Sequence, residues 1–232
     1  MTGSLLRRPA VLVYHGVGPA QGDDARLLIT LERLEAQVRF LQRRGYVFRT
    51  AEELVGMGAP VPGTIVLTFD DGFRTWLTDV APLLKSLGVR ATFYVCPGLA
   101  GRQHWHVAGD PGQLLTEEEA GQLAETGMEI GSHSLTHPDL RIVDGGELSV
   151  ELRDSKAAIE RITRRPCRTL AYPYGLHDTR VERAVEEAGY ELAFGWLPGP
   201  WRPLAAPRLP APPRHGAFGL ALKLSGIRRR RR

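Results

Sequence analysis

Two short strings of this chain contain carboxylates and imidazoles at spacings that suit metal-assisted hydrolysis. Asp70 and Asp71 are adjacent and precede Gly72, and His133 and His137 lie four residues apart. Two imidazoles and one carboxylate can hold a divalent metal and leave a coordination position open for water. A second carboxylate beside that water can take its proton. These residue types therefore indicate a metal-dependent hydrolase, although Asp and Gly are also common in turns.

The histidine pair needs a particular backbone to share one site. Residues four apart lie on one face of a helix, but Pro138 disfavours the helical region for His137. We therefore expect a loop that turns both rings toward one point. Successive residues of a strand point to opposite faces, so Asp70 and Asp71 can share a site only if the chain twists where the strand ends.

The composition is that of a soluble globular protein with room for one large core. The 232 residues are 43% hydrophobic and 24% charged. The formal net charge is +4, but five of the positive charges form one run, Arg228 to Arg232, so the remainder carries −1. We expect no nucleic-acid partner, and at most a weak contact of this tail with an anionic surface. Cys96 and Cys167 are too few for a disulfide framework and are expected to be buried thiols.

The N-terminal sequence lacks the apolar region of a secretory signal, and the apolar run at residues 10–13 is too short to span a bilayer. This predicts a cytoplasmic protein without a transmembrane segment, and an extracytoplasmic location if the N-terminus is incomplete. Without a linker rich in Gly, Pro or Ser, residues 1–227 are expected to form one catalytic domain, followed by a basic tail at 228–232.

Four stretches with the spacing of amphipathic helices each end at a glycine, and a strand-like run follows directly. The predicted helices cover residues 31–44, 77–87, 116–126 and 178–188, and the strands after them cover 45–48, 89–95, 128–130 and 190–194. Further strands are expected at 11–14, 64–69 and 169–172, and a further helix at 147–164. This alternation predicts an α/β fold with a mainly parallel sheet.

Prolines modify this pattern at two places. Pro82 predicts a kink or a late start of the second helix. The dense prolines of residues 198–213 predict irregular wrapping at the C-terminal end.

Polar residues follow the predicted strands directly. His15, Asp70, His133 and Tyr174 each come just after a different strand. Because the carboxyl ends of parallel strands share one rim, these four positions are expected to meet in one mouth.

Three strings in this order resemble the motifs of the polysaccharide deacetylase family, the NodB-homology group also called carbohydrate esterase family four. They are Thr68-Phe69-Asp70-Asp71-Gly72, His133-Ser134-Leu135-Thr136-His137-Pro138 and Tyr172-Pro173-Tyr174-Gly175. The resemblance implies a distorted (β/α) barrel and metal-dependent removal of N-acetyl groups from amino sugars, with zinc as the expected metal. It makes Asp71, His133 and His137 the metal ligands and Asp70 the general base, with the Tyr174 N–H stabilising the oxyanion.

The opening residues 11–17 resemble a branch of that family with permuted motifs, to which deacetylases of poly-N-acetylglucosamine belong. In that branch an N-terminal histidine is the general acid, which makes His15 the candidate here. Two alternatives stay open, since His15 could be a core histidine and the more usual motif order favours His215. The sequence departs from the family at Ala171, where many members carry an arginine that orients the base. The permuted branch often lacks this arginine too, so how the Asp70 carboxylate is oriented and how its pKa is set stay open.

Tyr172, Pro173 and Trp105 are expected to contact the acetylated amino sugar. Trp105 lies between His104 and His106, and this string has no carboxylate at a spacing that would support a metal site, which favours a loop over the mouth. Two other functions stay open: an amidohydrolase acting on a small N-acyl or cyclic amide, and a carbohydrate-binding homologue without catalysis.

Overall fold

The computed structural model describes residues 9–19, 26–196, 199–212 and 216–224. The strands are β1 (Ala10–Tyr14), β2 (Gly16–Val17), β3 (Leu28–Ile29), β4 (Val47–Arg49), β5 (Thr64–Phe69), β6 (Thr92–Val95), β7 (Glu129–Ser132), β8 (Thr169–Ala171), β9 (Leu192–Gly195), β10 (Ala206–Pro207) and β11 (Leu209–Pro210). The helices are α1 (Leu31–Arg43), α2 (Ala81–Ser86), α3 (Glu117–Glu125), α4 (Gly145–Thr163), α5 (Thr179–Glu187) and α6 (Ala217–Leu224).

The main sheet is parallel throughout and has the order β10-β9-β8-β7-β6-β5-β1-β11. β4 pairs with the first half of β5, and β2 and β3 form a separate parallel pair. The predicted α/β fold with a parallel sheet is therefore confirmed.

The sheet closes into a barrel through residues 206–211. Arg208 alone separates β10, which pairs with β9, from β11, which pairs with β1 at the opposite edge. The Arg208 N–H donates to the Gly195 carbonyl at 3.0 Å, and the Ala211 N–H donates to the Val13 carbonyl at 2.9 Å. The prediction of irregular wrapping was wrong for this segment, because proline is tolerated at the ends of very short strands.

Alternation along each strand divides the apolar side chains between two layers. On β5, Ile65, Leu67 and Phe69 belong to the large core cluster that the helices cover, whereas Val66 belongs to a smaller one. The smaller cluster fills the barrel interior. From the neighbouring strands it also contains Val11, Tyr94, Ala171, Leu192, Phe194 and Ala206. Fully burying a large apolar side chain stabilises the fold by about 1.5–3 kcal/mol.

The helices begin where their caps predict. The hydroxyl of Thr116 accepts from the Glu119 N–H, and the Glu119 carboxylate accepts from the Thr116 N–H, which confirms the reciprocal cap of α3. Asp178 caps α5 through the Val181 N–H. Pro82 lies in the first turn of α2, after one wide helical turn at Trp76–Val80, so the late start is confirmed.

Both cysteines are buried free thiols. Within the described ranges, the structure contains no helix that is both long enough and apolar enough to cross a bilayer. The arginine tail lies outside the described residues.

Candidate active site

Three side chains converge at the carboxyl ends of β5 and β7. Asp71, His133 and His137 are buried, and one possible ligand atom from each lies within 4.8 Å of the others. The Nε2 atoms of both histidines lie 3.4 Å from Oδ1 of Asp71. The structure thus brings together the three residues that the sequence analysis assigned to a metal.

A backbone twist after β5 brings the two aspartates to the same site. Val66, Thr68 and Asp70 share the inward face of the strand. Asp71 then adopts a φ of +85°, in the left-handed region that aspartate tolerates better than most residues. This turn directs the second carboxylate back toward the mouth of the barrel.

The hydrogen bonds of His133 leave its inner nitrogen available as a ligand. Nδ1 lies 2.7 Å from the Ala171 carbonyl and donates to it, so Nε2 of the neutral ring carries a lone pair. That lone pair faces Oδ1 of Asp71 at 3.4 Å, an arrangement in which both atoms can bind one cation. Burial opposes protonation, but the charges of Asp70 and Asp71 raise the pKa of His133.

His137 is available as a neutral ligand. Burial, with the nearby His133, lowers its pKa to about 3, and neutral imidazole is the form that binds metals. Its buried Nδ1 has no hydrogen-bond partner among the described residues. One carboxylate oxygen and two imidazoles suit a borderline divalent ion such as zinc, so the donor set fits the metal that the sequence predicted.

The loop between the two histidines is held by a buried carboxylate on α4. Glu151 Oε2 accepts the N–H groups of Leu135 at 2.8 Å and Thr136 at 2.9 Å, and Oε1 accepts the Thr136 hydroxyl. Ser134 and His137 both adopt a φ of +64°. The predicted loop is confirmed, but His137 is left-handed, not extended as the following proline favours.

Arg208 is the partner of the candidate base, and no motif of the sequence predicted it. Its NH1 and NH2 atoms each donate to one oxygen of Asp70 at 2.6 Å, and NH1 also lies 3.2 Å from the Thr68 hydroxyl. This arginine takes the place of the one that the family motif has at Ala171, and it lies 138 residues after Asp70 in the sequence. No local pattern marks it except an arginine between apolar residues of a proline-rich stretch.

The Arg208 guanidinium determines the protonation state of the Asp70 carboxyl. Burial alone would raise the pKa of Asp70, but the charge and hydrogen bonds of Arg208, with a contribution from His133, hold it below its usual value. Asp70 Oδ2 lies 3.9 Å from His133 Nε2, beside the ligand group. The carboxylate is thus ionised and next to the place where a metal would be held.

His15 also lies in the site. Its Nε2 is 4.0 Å from Oδ2 of Asp71, and its side chain is 16% exposed. The backbone at His15 is closely packed. The Trp76 Nε1–H donates to the His15 carbonyl at 2.8 Å, and a Cβ added at Gly16 would lie 2.6 Å from the Leu28 side chain. Burial lowers the pKa of His15. The rival candidate, His215, lies outside the described residues.

A further histidine, His104, reaches the same carboxylate. Its Nε2 lies 3.2 Å from Oδ2 of Asp71, and its ring is fully buried. The string at residues 104–106 has no carboxylate at a supporting spacing in the sequence, because Asp71 comes from a different strand end.

The matched region contains all three motifs. Residues 58–193 match the family model described as polysaccharide deacetylase. The chain belongs to the polysaccharide deacetylase family. The relatives found by sequence include proteins named as deacetylases, which are hydrolases of carbon–nitrogen bonds other than peptide bonds.

Two sequence relatives and one solved structure illustrate the similarity. The Bacillus subtilis (strain 168) protein YxkH is 27% identical over 193 residues, 82% of this chain and 64% of that protein. A poly-β-1,6-N-acetyl-D-glucosamine N-deacetylase of Staphylococcus aureus is 21% identical over 178 residues, 72% of this chain and 60% of that protein. The structure of the Streptococcus pyogenes deacetylase PplD in complex with acetate matches with a TM-score of 0.79 and 21% identity, over 93% of this chain and 97% of that chain.

The solved structure shows that this polysaccharide deacetylase family member has the barrel fold of its relatives. The matches span between 41% and 64% of the lengths of the first four curated relatives, so those proteins extend beyond the region shared with this chain.

Exposed aromatic side chains flank the site of this deacetylase family member. Trp105 is 37% exposed and Tyr174 46%, and their rings lie 4.4 and 4.7 Å from that of His137. Trp196, 42% exposed, lies over Gly175 and makes an edge contact with His15 at 6.4 Å.

Two expected substrate contacts are not at this surface. Tyr172 is fully buried, stacks on His177, and donates its hydroxyl to the Leu204 carbonyl at 2.8 Å. Pro173 is buried as well. Both residues therefore support the turn that carries Tyr174, and the expectation that they touch the sugar is corrected, because the chain turns outward only at Tyr174.

Proposed function

We propose that this protein is a metal-dependent hydrolase that removes N-acetyl groups from N-acetylglucosamine residues of a poly- or oligosaccharide or a glycoconjugate. One observation carries the proposal: Asp71, His133 and His137 meet beside an Asp70 carboxylate that Arg208 keeps ionised. Membership of the polysaccharide deacetylase family supports it, and the name of the S. aureus relative supports the substrate class.

Asp71, His133 and His137 would hold the cation, for which zinc is our preferred candidate. When bound, such a cation supplies Lewis-acid polarisation to the substrate amide and lowers the pKa of a water molecule. The remaining steps use proton transfers by this chain's own side chains.

Asp70 takes the proton of the attacking water. Arg208 holds both of its oxygens, which fixes the direction of the carboxylate and favours its ionised form. A positioned general base contributes about 10²–10⁴-fold to a rate.

His15 gives a proton to the leaving nitrogen. Its place beside Asp71, with Nε2 4.0 Å from Oδ2, puts its imidazole within the same mouth as the base. The Tyr174 N–H donates to the oxygen on which negative charge develops. The exposed faces of Trp105 and Trp196 are suited to stacking on sugar rings.

The test is acetate release from β-1,4- and β-1,6-linked oligomers of N-acetylglucosamine, with and without a chelator. We expect release that a chelator abolishes and added zinc restores. Asp70→Asn should lower turnover by about 10²–10⁴-fold while zinc stays bound, because the base is lost and the three ligands are kept. His133→Ala should lose both zinc and turnover.

The matched control is His106→Ala, which removes an exposed imidazole of the neighbouring loop and should retain activity. Near-normal acetate release by Asp70→Asn would refute the assignment of the base. Binding of oligomers without any acetate release would favour the carbohydrate-binding alternative, and release only from small N-acyl compounds would favour the amidohydrolase.

A further inference from the structure

The fully buried ring of His104 touches a proposed metal ligand on the side away from the metal group. Its Nε2 lies 3.2 Å from Oδ2 of Asp71, whereas Oδ1 of the same carboxylate lies 3.4 Å from both His133 and His137. The two oxygens of Asp71 therefore have different neighbours.

The hydrogen bonds of His104 identify its tautomer. The backbone N–H of His106 donates to Nδ1 of His104 at 3.0 Å. A ring nitrogen that accepts a hydrogen bond carries no proton, so the proton of the neutral ring is on Nε2. His104 consequently donates its Nε2–H to Oδ2 of Asp71.

We propose that His104 is a positioning residue, which fixes the Asp71 carboxylate so that Oδ1 alone is offered to the divalent metal of the proposed function. A carboxylate without this bond can rotate and bind a cation through both oxygens, which changes the coordination number. A donor behind a ligand carboxylate also lowers the entropy lost when the metal binds, since the ligand is already oriented.

The loop that carries His104 holds the imidazole ring of this residue in one orientation. The ring stacks between Phe73, at 4.6 Å and 23°, and Trp105, at 4.1 Å and 21°. Its backbone N–H donates to the Gly112 carbonyl at 2.7 Å. A Cβ on Gly112 would lie 1.8 Å from the Val107 carbonyl oxygen, so the loop closes only around glycine there.

The same loop also braces a second ligand. Trp105, the residue after His104, lies 4.4 Å from the ring of His137. One short segment thus contacts two of the three proposed ligands, which come from different strand ends.

The experiment compares metal binding by His104→Phe, His104→Gln and the wild-type protein. Phenylalanine keeps the stack between Phe73 and Trp105 but removes the donor, whereas the glutamine amide can supply an N–H at similar reach. Zinc affinity is measured by competition with a chromophoric chelator, and the coordination of added cobalt(II) by its visible absorption.

We expect His104→Phe to weaken zinc binding by about 10–100-fold and to lower the intensity of the cobalt bands, because coordination through both oxygens raises the coordination number. His104→Gln should stay close to wild type. His106→Phe, the same substitution at an exposed histidine of the loop, should change neither readout.

Unchanged zinc affinity and cobalt absorption in a folded His104→Phe variant would overturn the proposal, and so would equal losses in the Phe and Gln variants. If His104→Phe does not fold, His104→Met against His104→Gln gives the same comparison with two flexible side chains of similar length. A wild-type protein that binds no divalent metal would instead refute the proposed function, so the two failures are distinguishable.

Discussion

At the scale of single residues, the pair of Asp70 and Arg208 is the strongest constraint on the chemistry. Both side chains are almost completely buried, and two hydrogen bonds of 2.6 Å join them. Removing one partner of such a pair leaves an uncompensated charge, which costs about 3–5 kcal/mol. The guanidinium therefore affects both the folding of the barrel and the protonation of the proposed base.

This pair predicts a change in the pH dependence of activity. A base acts only when it is deprotonated, so activity falls as the pH falls through its pKa. Arg208 lowers the pKa of Asp70, and Arg208→Met should therefore raise it and move the acidic limb of the kcat/KM profile to higher pH. Arg208→Lys, which keeps a charge but not the paired geometry, should give a smaller displacement.

The measurement is kcat/KM for acetate release as a function of pH, restricted to temperatures at which thermal melts show each variant folded. Loss of activity with an unmoved acidic limb would mean that Arg208 acts through the fold alone.

At the scale of elements, the loop from His133 to His137 depends on α4. Two of its residues are left-handed, and Glu151 accepts two of its backbone N–H groups and one hydroxyl. Without Glu151 these partly buried donors would lose their acceptor, at a cost of about 0.5–1.5 kcal/mol for each hydrogen bond. The helix thus supports the loop that carries two of the proposed ligands.

Two variants separate the hydrogen bonds of Glu151 from its charge. Glu151→Gln keeps an acceptor for the backbone N–H groups, and its amide can donate to the Thr136 hydroxyl, so we expect a loss of unfolding free energy of about 1 kcal/mol or less. Glu151→Leu should lose several times as much and should also weaken zinc binding. Denaturant unfolding of the metal-free protein and zinc competition measure the two effects. If the Leu variant were as stable as the Gln variant, the loop would owe its shape to other contacts.

Local signals account for most of the fold that the sequence predicted. Capping at Thr116 and Asp178 and the glycines that follow α1, α2, α3 and α5 depend on neighbours a few residues away, so the sequence alone predicts them. The strand at 64–69 was predicted with the bounds it has.

The residues that the sequence did not reveal act across the barrel. Arg208 and His104 meet aspartates that lie 138 and 33 residues away, and no spacing rule connects them. The closing strands were missed because proline counts against a strand unless the strand lies at an edge. Tyr172 was assigned to the substrate because its motif does not show which of its side chains turn inward.

At the scale of the whole molecule, one short segment both closes the barrel and completes the site. Residues 206–211 bond to β9 on one side and β1 on the other, and their central residue holds Asp70. The segment that closes the sheet therefore also orients the proposed base.

Two shortened chains test this dependence. A chain ending at Arg202 lacks the closing segment, and we expect its free energy of unfolding to fall by at least about 3–5 kcal/mol, since Asp70 loses its counter-charge along with two strand pairings. A chain ending at Leu224 keeps the counter-charge and both strand pairings and lacks only residues 225–232. It should therefore unfold as the full chain does. Thermal and urea unfolding followed by circular dichroism measure both, and equal midpoints for the two chains would contradict the role of the segment.

The separation of Asp70 from Arg208 in the sequence also affects the order in which the site is completed during synthesis. During translation Asp70 leaves the ribosome 138 residues before Arg208, the residue that keeps its carboxyl ionised. Until the arginine arrives, a carboxyl enclosed in a collapsing chain keeps its proton up to a higher pH. We therefore expect the proposed base of a nascent or prematurely terminated chain to be ionised only at higher pH than in the complete barrel.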